Sequence, residues 1–482
     1  MTHDAIVVAA GPAGLAAAIT MAQAGLRVLL LEKAAVTGGT ANRGMGPLGI
    51  ESRHTRARLL PPTRDEAFKA YMDFTHWRVD ARLVREFLNR SGETIHWLES
   101  LGVEFVEPAT YFTGSFQTWH LVKPEQGPPG PGGAATMMRV LTRRAVELGV
   151  ELRLQTPVNA LIREGGRVVG VHAVDAQGAP IDARAAAVVL ATGGFGDSPE
   201  MVREHAGFEL GRDMHPFRTP GVRGDGLRMA WAVGAARTEM LMELVYGMPD
   251  NLSVPMPLHE ACRQPHLMVN LLGERFIDES VMPNVTFTGN AIAQQKQRCA
   301  FLIFDADILA AMARDFDFRN RVFPVTRIDD ADALIDRFVA TGYRHFFVAD
   351  TLADLAAQTG IEAAALSATV AQYNADCARG YDTLFNKPQH YLRPLRRPRF
   401  FAARHFPSAY GSAGGLRINH RAEVLDDAWR AIEGLYAAGT DACSIYGDSY
   451  PFLFPGTSMG FALNTGRIAG EQIASRHKEA TA

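Results

Sequence analysis

The stretch that decides the fold is "AIVVAAGPAGLAAAITMAQAGLRVLLLEK", residues 5–33. "AIVVA" has the continuous apolar, β-branched character of a strand buried on both faces of a parallel sheet. "GLAAAITMAQAG" reads as a helix closing on Gly25, and "LRVLLLE" as the next strand. Strand, glycine turn, helix and second strand make a unit that holds a dinucleotide pyrophosphate on the N–H groups of the helix N-terminus. Gly11 lets the backbone approach the phosphates, and Gly14 lets helix and strand pack closely. Where the usual pattern has its first glycine this chain has Ala9, which such a turn accepts if φ stays negative and the methyl has room. Glu32 ends the second strand about 20 residues on, where a carboxylate accepts from the hydroxyls of an unphosphorylated ribose and disfavours a 2′-phosphate. The run is long enough to suggest a membrane span, but Gly11, Pro12, Gly14, Gln23, Gly25 and Arg27 interrupt it.

Length and composition bound the rest. A chain of 482 residues exceeds one ordinary core and implies two or three domains, one of them possible as a discontinuous unit. With 47% hydrophobic and 21% charged residues and a net charge of -3, nothing points to nucleic acid or an anionic membrane as partner. Cys262, Cys299, Cys377 and Cys443 form no metal, haem or cluster spacing, and with no secretory n-region the expected home is the cytoplasm. His215, His259 and His266 are not at metal-ligand spacing and read as structural, hydrogen-bonded residues.

Later segments repeat the opening pattern. "AAAVVLATGGFG" (185–196) is another buried strand running into a Thr-Gly-Gly turn, and "GLYAAGTDA" (434–442) a third strand with a glycine at its end. "GTSMGFALNTGRIAGEQIA" (456–474) reads as a glycine turn followed by a helix. Together with "TGGTANRGMGP", "RGDGLRMAWAVGA" and "GERFIDES", these segments resemble the FAD-dependent fumarate reductase / succinate dehydrogenase flavoprotein family almost from end to end. The resemblance implies an α/β protein: a Rossmann-like FAD-binding domain over residues 1–237 and 401–482, with an inserted α+β capping domain over 238–400. It implies non-covalent FAD with Gly11, Pro12, Ala13 and Gly14 at the pyrophosphate, and Glu32 with Lys33 at the adenosine ribose. Gly39, Thr40 and Ala41 follow along the pyrophosphate and flavin, and Val158 lies beside the adenine. Thr192, Gly193, Gly439 and Thr440 line the same cleft, while Asp225, Ser458 and Met459 lie near the isoalloxazine. A helix N-terminus aimed at that ring would stabilise charge on it. The loop-like "QGPPGPGG" (126–133) is expected to be a lid or connection.

The chemistry departs from the family. In the fumarate reductases an arginine donates the proton, fed by a glutamate and a second arginine; Glu260 and Arg263 match the feeding pair. The donor itself is missing: no arginine stands between Arg275 and Arg298. The C-terminal clamp arginine and the histidine before "GG" are absent too, and Tyr246, Tyr410, Tyr446 and Tyr450 stand among these segments instead. A dicarboxylate needs buried cations, whereas a carbonyl on an apolar substrate needs hydrogen-bond donors. "SYPFLFPG" also resembles the Tyr-Pro…Gly segment of the 3-ketosteroid dehydrogenase branch, which implies Tyr450 as the ketone-binding hydroxyl and Gly456 as a backbone donor. The expected activity is therefore FAD-dependent interconversion of saturated and α,β-unsaturated carbonyl compounds, with catalytic residues Tyr450, Arg263, Glu260, Tyr246 and Gly456. A small-molecule substrate and an unidentified electron donor or acceptor are its partners. The rivals are a dicarboxylate reductase using Arg223, Arg275 or Arg298, a flavin oxidase or hydroxylase, and an electron-carrying subunit without its own substrate.

Overall fold

The opening stretch folds as its residues dictate. In the computed structural model, which describes residues 3–481 apart from 218, 251–252, 321 and 324, β1 (Ala5–Val8) is wholly buried. It leads to helix α1 (Pro12–Gln23) and then to β2 (Val28–Leu31), which pairs with β1 in parallel. Pro12 opens the helix, where its missing N–H has no partner to lose, and Gly25 at φ 87° ends it. β3 (Glu151–Arg153) follows, then the antiparallel β4 (Val158–Glu164), β5 (Arg167–Val174) and β6 (Pro180–Arg184), and then β7 (Ala187–Leu190).

Two compact units divide the chain. The first comprises Met1–Gly207, Arg218–Met242 and Gly411–Ala482; the second comprises Phe208–Phe217 and Glu243–Tyr410. By the order of the sequence motifs, segment 208–217 falls in the first domain. The structure takes it into the second unit because the His215 and Phe217 N–H groups bond the carbonyls of Pro407 and Ala409, as an added strand does. β8 (Leu241–Gly247) leads into the second unit, whose sheet runs β11 (Phe346–Ala349), β12 (Phe400–Gly415), β10 (Ala300–Asp305), β9 (Leu267–Asn270). Its core stacks Phe304 on Phe401 at 4.9 Å.

The chain returns to the first unit with β13 (Glu423–Leu425), β14 (Ala431–Ala437) and β15 (Ala442–Cys443). The main sheet order is β13-β14-β7-β1-β2-β3, parallel except at the β13–β14 edge. The C-terminal helix Thr457–Thr481 lies directly on α1: a Cβ added to Gly466 would stand 2.2 Å from the Ala13 carbonyl oxygen. Only glycine permits that approach. No described helix is long and apolar enough to cross a membrane.

Candidate active site

The turn after β1 departs from expectation at its first position. Ala9 has φ 81°, in the left-handed region, not the negative φ its side chain prefers. The cause is close packing: the Ala9 N–H bonds the Leu31 carbonyl at 2.7 Å, and a Cβ on Gly14 would meet the Ala9 oxygen at 1.9 Å. The strand must therefore turn sharply under α1. An alanine held left-handed costs about 1–2 kcal/mol, and glycine there gives back about 0.4–1 kcal/mol through its freer unfolded chain. Ala9→Gly is expected to raise stability by up to about 1.6 kcal/mol, seen as a higher urea midpoint, with FAD retained. A lowered midpoint would show that the methyl group contributes packing that outweighs the strain.

Around this turn the first unit forms an open, N–H-rich slot. A Cβ on Gly11 would touch nothing within 4 Å, and one on Gly39 would reach only the Gly11 Cα, at 3.8 Å. Gly38 donates to the Ala10 carbonyl at 2.8 Å, which brings Gly39, Thr40 and the buried Ala41 alongside the N-terminus of α1, at Pro12 and Ala13. Two glycines facing each other without side chains suit a pyrophosphate. Glu32, 7% exposed, accepts from the Ala10 and Ala34 N–H groups at 2.7 and 2.8 Å. Those bonds aim the carboxylate and leave lone pairs for ribose hydroxyls. Backbone bonds from Gln155 to Ala34 and from Thr156 to Glu32 set Val158 just past the same end of the slot.

Asp225 pairs with Lys33 at 2.5 Å, Lys33 also reaches the Gly221 carbonyl, and the neighbouring Gly226 N–H bonds the Thr192 hydroxyl at 3.1 Å, so Asp225 links the Glu32 segment to Thr192. Asp441, which no sequence motif singled out, is the buried carboxylate that organises the middle. It accepts from the Thr192 N–H and hydroxyl and from the Gly194 N–H, at 2.5, 2.9 and 2.8 Å. Burial pushes its pKa up, against the pull of those donors. Its signal was an acid two residues after the glycine of "AAGTDA". Gly439 donates to Thr465 at 2.9 Å, and Thr440 sits where a Cβ on Gly194 would collide with it, at 2.8 Å.

At the N-terminus of the C-terminal helix, a Cβ on Gly44 would lie 2.5 Å from Met459 Cε, which joins Ser458 and Met459 to the segment after Gly39. Gly456, φ 86°, accepts from the Leu48 and Gly460 N–H groups at 2.9 Å. The inserted "FLF" builds an aromatic tier. Tyr450 stands edge-on to Tyr446 at 5.1 Å, Phe452 meets Tyr111 at 4.5 Å, and Phe454 stacks on Phe116 at 4.9 Å. Behind it, neutral His120 bonds Ser52 at 2.7 Å and the Thr118 carbonyl at 3.0 Å, and Thr118 bonds the Pro455 carbonyl.

The second unit brings together Glu260, Arg263 and His259. Arg263 Nη1 and His259 Nδ1 lie 3.2 and 3.1 Å from Glu260 Oε1. Burial raises the Glu260 carboxyl, but the Arg263 charge and the His259 contact outweigh it and hold it below the ordinary value. Tyr246 packs edge-on against His405 at 5.2 Å, and His405 is near enough to His259 and Arg263 for their charges to disfavour its protonation. His405 carried no sequence signal, since it reads as an alternating strand residue.

The rival arginines are already engaged. Arg275 makes paired contacts to both Glu279 and Asp382, at 2.7–3.0 Å, in a buried network that includes Lys387 and Tyr373. Arg223 is exposed, 3.7 Å from Asp197, and Arg298 faces Asp213 and the Phe208 ring. Where the family arginine would stand, Met282 is buried and Asn284 caps the next helix. No metal-binding group of histidines, cysteines and carboxylates occurs among the described residues.

Comparison with known proteins identifies the family. Residues 4–452 match the FAD_binding_2 model, described as FAD binding domain. The chain is 33% identical to a vinyl phenol reductase of Lactiplantibacillus plantarum, over 98% of this chain and 96% of that one. It is 28% identical to a cytochrome fumarate reductase of Shewanella frigidimarina, over 99% and 78%. The structure of 3-ketosteroid-Δ4-(5α)-dehydrogenase from Rhodococcus jostii RHA1 with 4-androstene-3,17-dione superimposes with a TM-score of 0.77 at 26% identity, covering 98% and 96%. A domain match over residues 4–452 and a relative 33% identical over nearly the full length place this chain: it belongs to the FAD binding domain family.

Proposed function

We propose that this FAD-dependent oxidoreductase acting on CH–CH bonds reduces the C=C bond of a neutral, flat substrate conjugated to an oxygen-bearing group, a carbonyl or a phenol ring. The observation that carries it is the aromatic tier of Tyr446, Tyr450 and Phe452 in the segment where dicarboxylate enzymes place a clamp arginine. Arg275 is spent on Glu279 and Asp382, so it leaves no charge for a carboxylate ligand. The name of the vinyl phenol relative supports a phenolic substrate, and the ketosteroid structure supports a ketone.

Gly11, Pro12, Ala13, Gly14, Gly39, Thr40 and Ala41 would hold the pyrophosphate of FAD. Glu32, Val158 and the Lys33–Asp225 pair would bound the adenosine, and Thr192, Gly193, Gly439 and Thr440 the middle. Ser458 and Met459, at a helix N-terminus, would serve the flavin, which would be held without a covalent link. FAD, when bound, supplies hydride exchange with carbon. Tyr450 donates to the substrate oxygen, helped by the Gly456 backbone, and so stabilises charge that develops there. Within the second unit Glu260, Arg263 and Tyr246 serve as the proton-carrying group, Glu260 and Arg263 feeding the tyrosine hydroxyl. The electron partner is an exchangeable donor, and a reducing cytoplasm suits the protein.

A substrate panel watched through the flavin absorbance tests this. The protein reduced with dithionite, free of oxygen, is expected to be reoxidised by a vinyl phenol or an aryl enone and not by fumarate. Reoxidation by fumarate alone would return the reading to the dicarboxylate reductases.

A further inference from the structure

Side chains alternate along β12, so Arg404 and Phe406 face away from His405 and the Glu260 cluster. On that face Arg404 Cζ lies 4.9 Å from the Phe406 ring centre and 5.5 Å from that of Phe301. Its Nη2 reaches only a weak acceptor, Cys299 Sγ at 3.5 Å, and its Nε is buried without a hydrogen-bond partner. Arg263 and Arg275 each have a carboxylate, whereas Arg404 makes no ion pair among the described residues. His215 and His345 stand 6.3 Å apart, 4.8 and 5.7 Å from the same Phe406 ring. The His345 Nδ1 is buried and has no hydrogen-bond partner either. Backbone bonds from His215 to Pro407 and from Arg404 to His345 fix all three on one patch.

We propose that Arg404, His215 and His345 form a second ligand site, for a small oxyanion held over the Phe406 ring. A guanidinium fork matches the paired oxygens of a carboxylate or phosphate, the His345 imidazole supplies a further N–H, and His215, whose ring already bonds the Arg212 backbone, adds a second donor when protonated. Both imidazoles are neutral at neutral pH, because burial and the Arg404 charge hold them down, His345 to about 4. Asp250 and Asp213 on the acidic side, and Arg344 on the basic side, also bear on them. An entering anion favours imidazolium, so binding takes up protons and tightens as pH falls. Asp250 opposes the anion most at high pH, when both imidazoles are uncharged.

Titration calorimetry of the FAD-loaded protein with inorganic phosphate and, separately, with benzoate, at about pH 8 and about pH 6, tests the site. Binding is expected to be several-fold tighter at the lower pH, with proton uptake seen as a buffer-dependent heat. Arg404→Met should lose about tenfold or more in affinity, and Arg404→Lys should fall between. Tighter benzoate than phosphate would identify a flat carboxylic acid as the natural class; the reverse would identify a phosphate ester. If Arg404→Met does not fold, His345→Phe serves, and should reduce the proton uptake. Failure of both probes to bind at about pH 6, or equal affinity in a folded Arg404→Met protein, overturns the proposal.

Discussion

Tyr450→Phe is expected to slow reoxidation of the flavin by substrate about 10²–10³-fold, with folding and FAD content nearly unchanged. The ring is buried, 4% exposed, edge-on to Tyr446 and 5.7 Å from Phe452, and phenylalanine keeps that packing. What is lost is one hydroxyl donor. A bond to the substrate oxygen strengthens as negative charge grows there, so the loss falls on the single-turnover rate more than on substrate binding. Arg263→Gln is the contrasting variant. It removes the charge that holds Glu260 down in a buried site, so the Glu260 carboxyl rises and the acidic limb of the rate profile moves to higher pH. Wild-type hydride-transfer rates in Tyr450→Phe would show that this tyrosine only walls the pocket.

Mild acid is expected to unfold the protein near pH 5. Burial pushes His120 and His405 down to about 3, and His266 well below its usual value, with nearby positive charges adding to the effect. The sign follows from linkage. Above pH 6.5, the ordinary value for histidine, all three are neutral in both states and contribute nothing. As pH falls below 6.5 the unfolded chain takes up protons that the folded protein refuses, so stability falls until the folded pKa values are reached. At pH 5 His120 and His405 each cost about 2 kcal/mol, about 4 kcal/mol together, and His266 adds in the same direction, a large part of the stability of an ordinary domain. Circular dichroism against pH measures it, and His266→Leu should move the midpoint to lower pH. That side chain has neither ring nitrogen hydrogen-bonded, so leucine removes a buried polar cost as well. A midpoint that does not move would show that His266 is not among the groups that drive the transition.

The sequence by itself determined whatever depends on neighbours along the chain. The period of "AIVVA", the glycines at 11 and 14 and the acid at 32 specify a buried parallel strand, a tight glycine turn into a helix and a carboxylate at the end of the next strand, because each works through backbone geometry within one strand–helix–strand unit. The Glu260–Arg263 pair was legible for the same reason, lying three residues apart. The tertiary structure alone decided what depends on distant partners. Ala9 is left-handed because α1 and β2 close on it, and the residue type at position 9 pointed the other way. Arg275 looked like a spare cation until the fold brought Asp382, 107 residues on, against it. Thr192 acquires its orientation from Asp441, 249 residues away, and Asp225 meets Lys33 across 192. A charge is free or spent according to what the fold sets beside it, and that requires long-range contacts which no local pattern encodes.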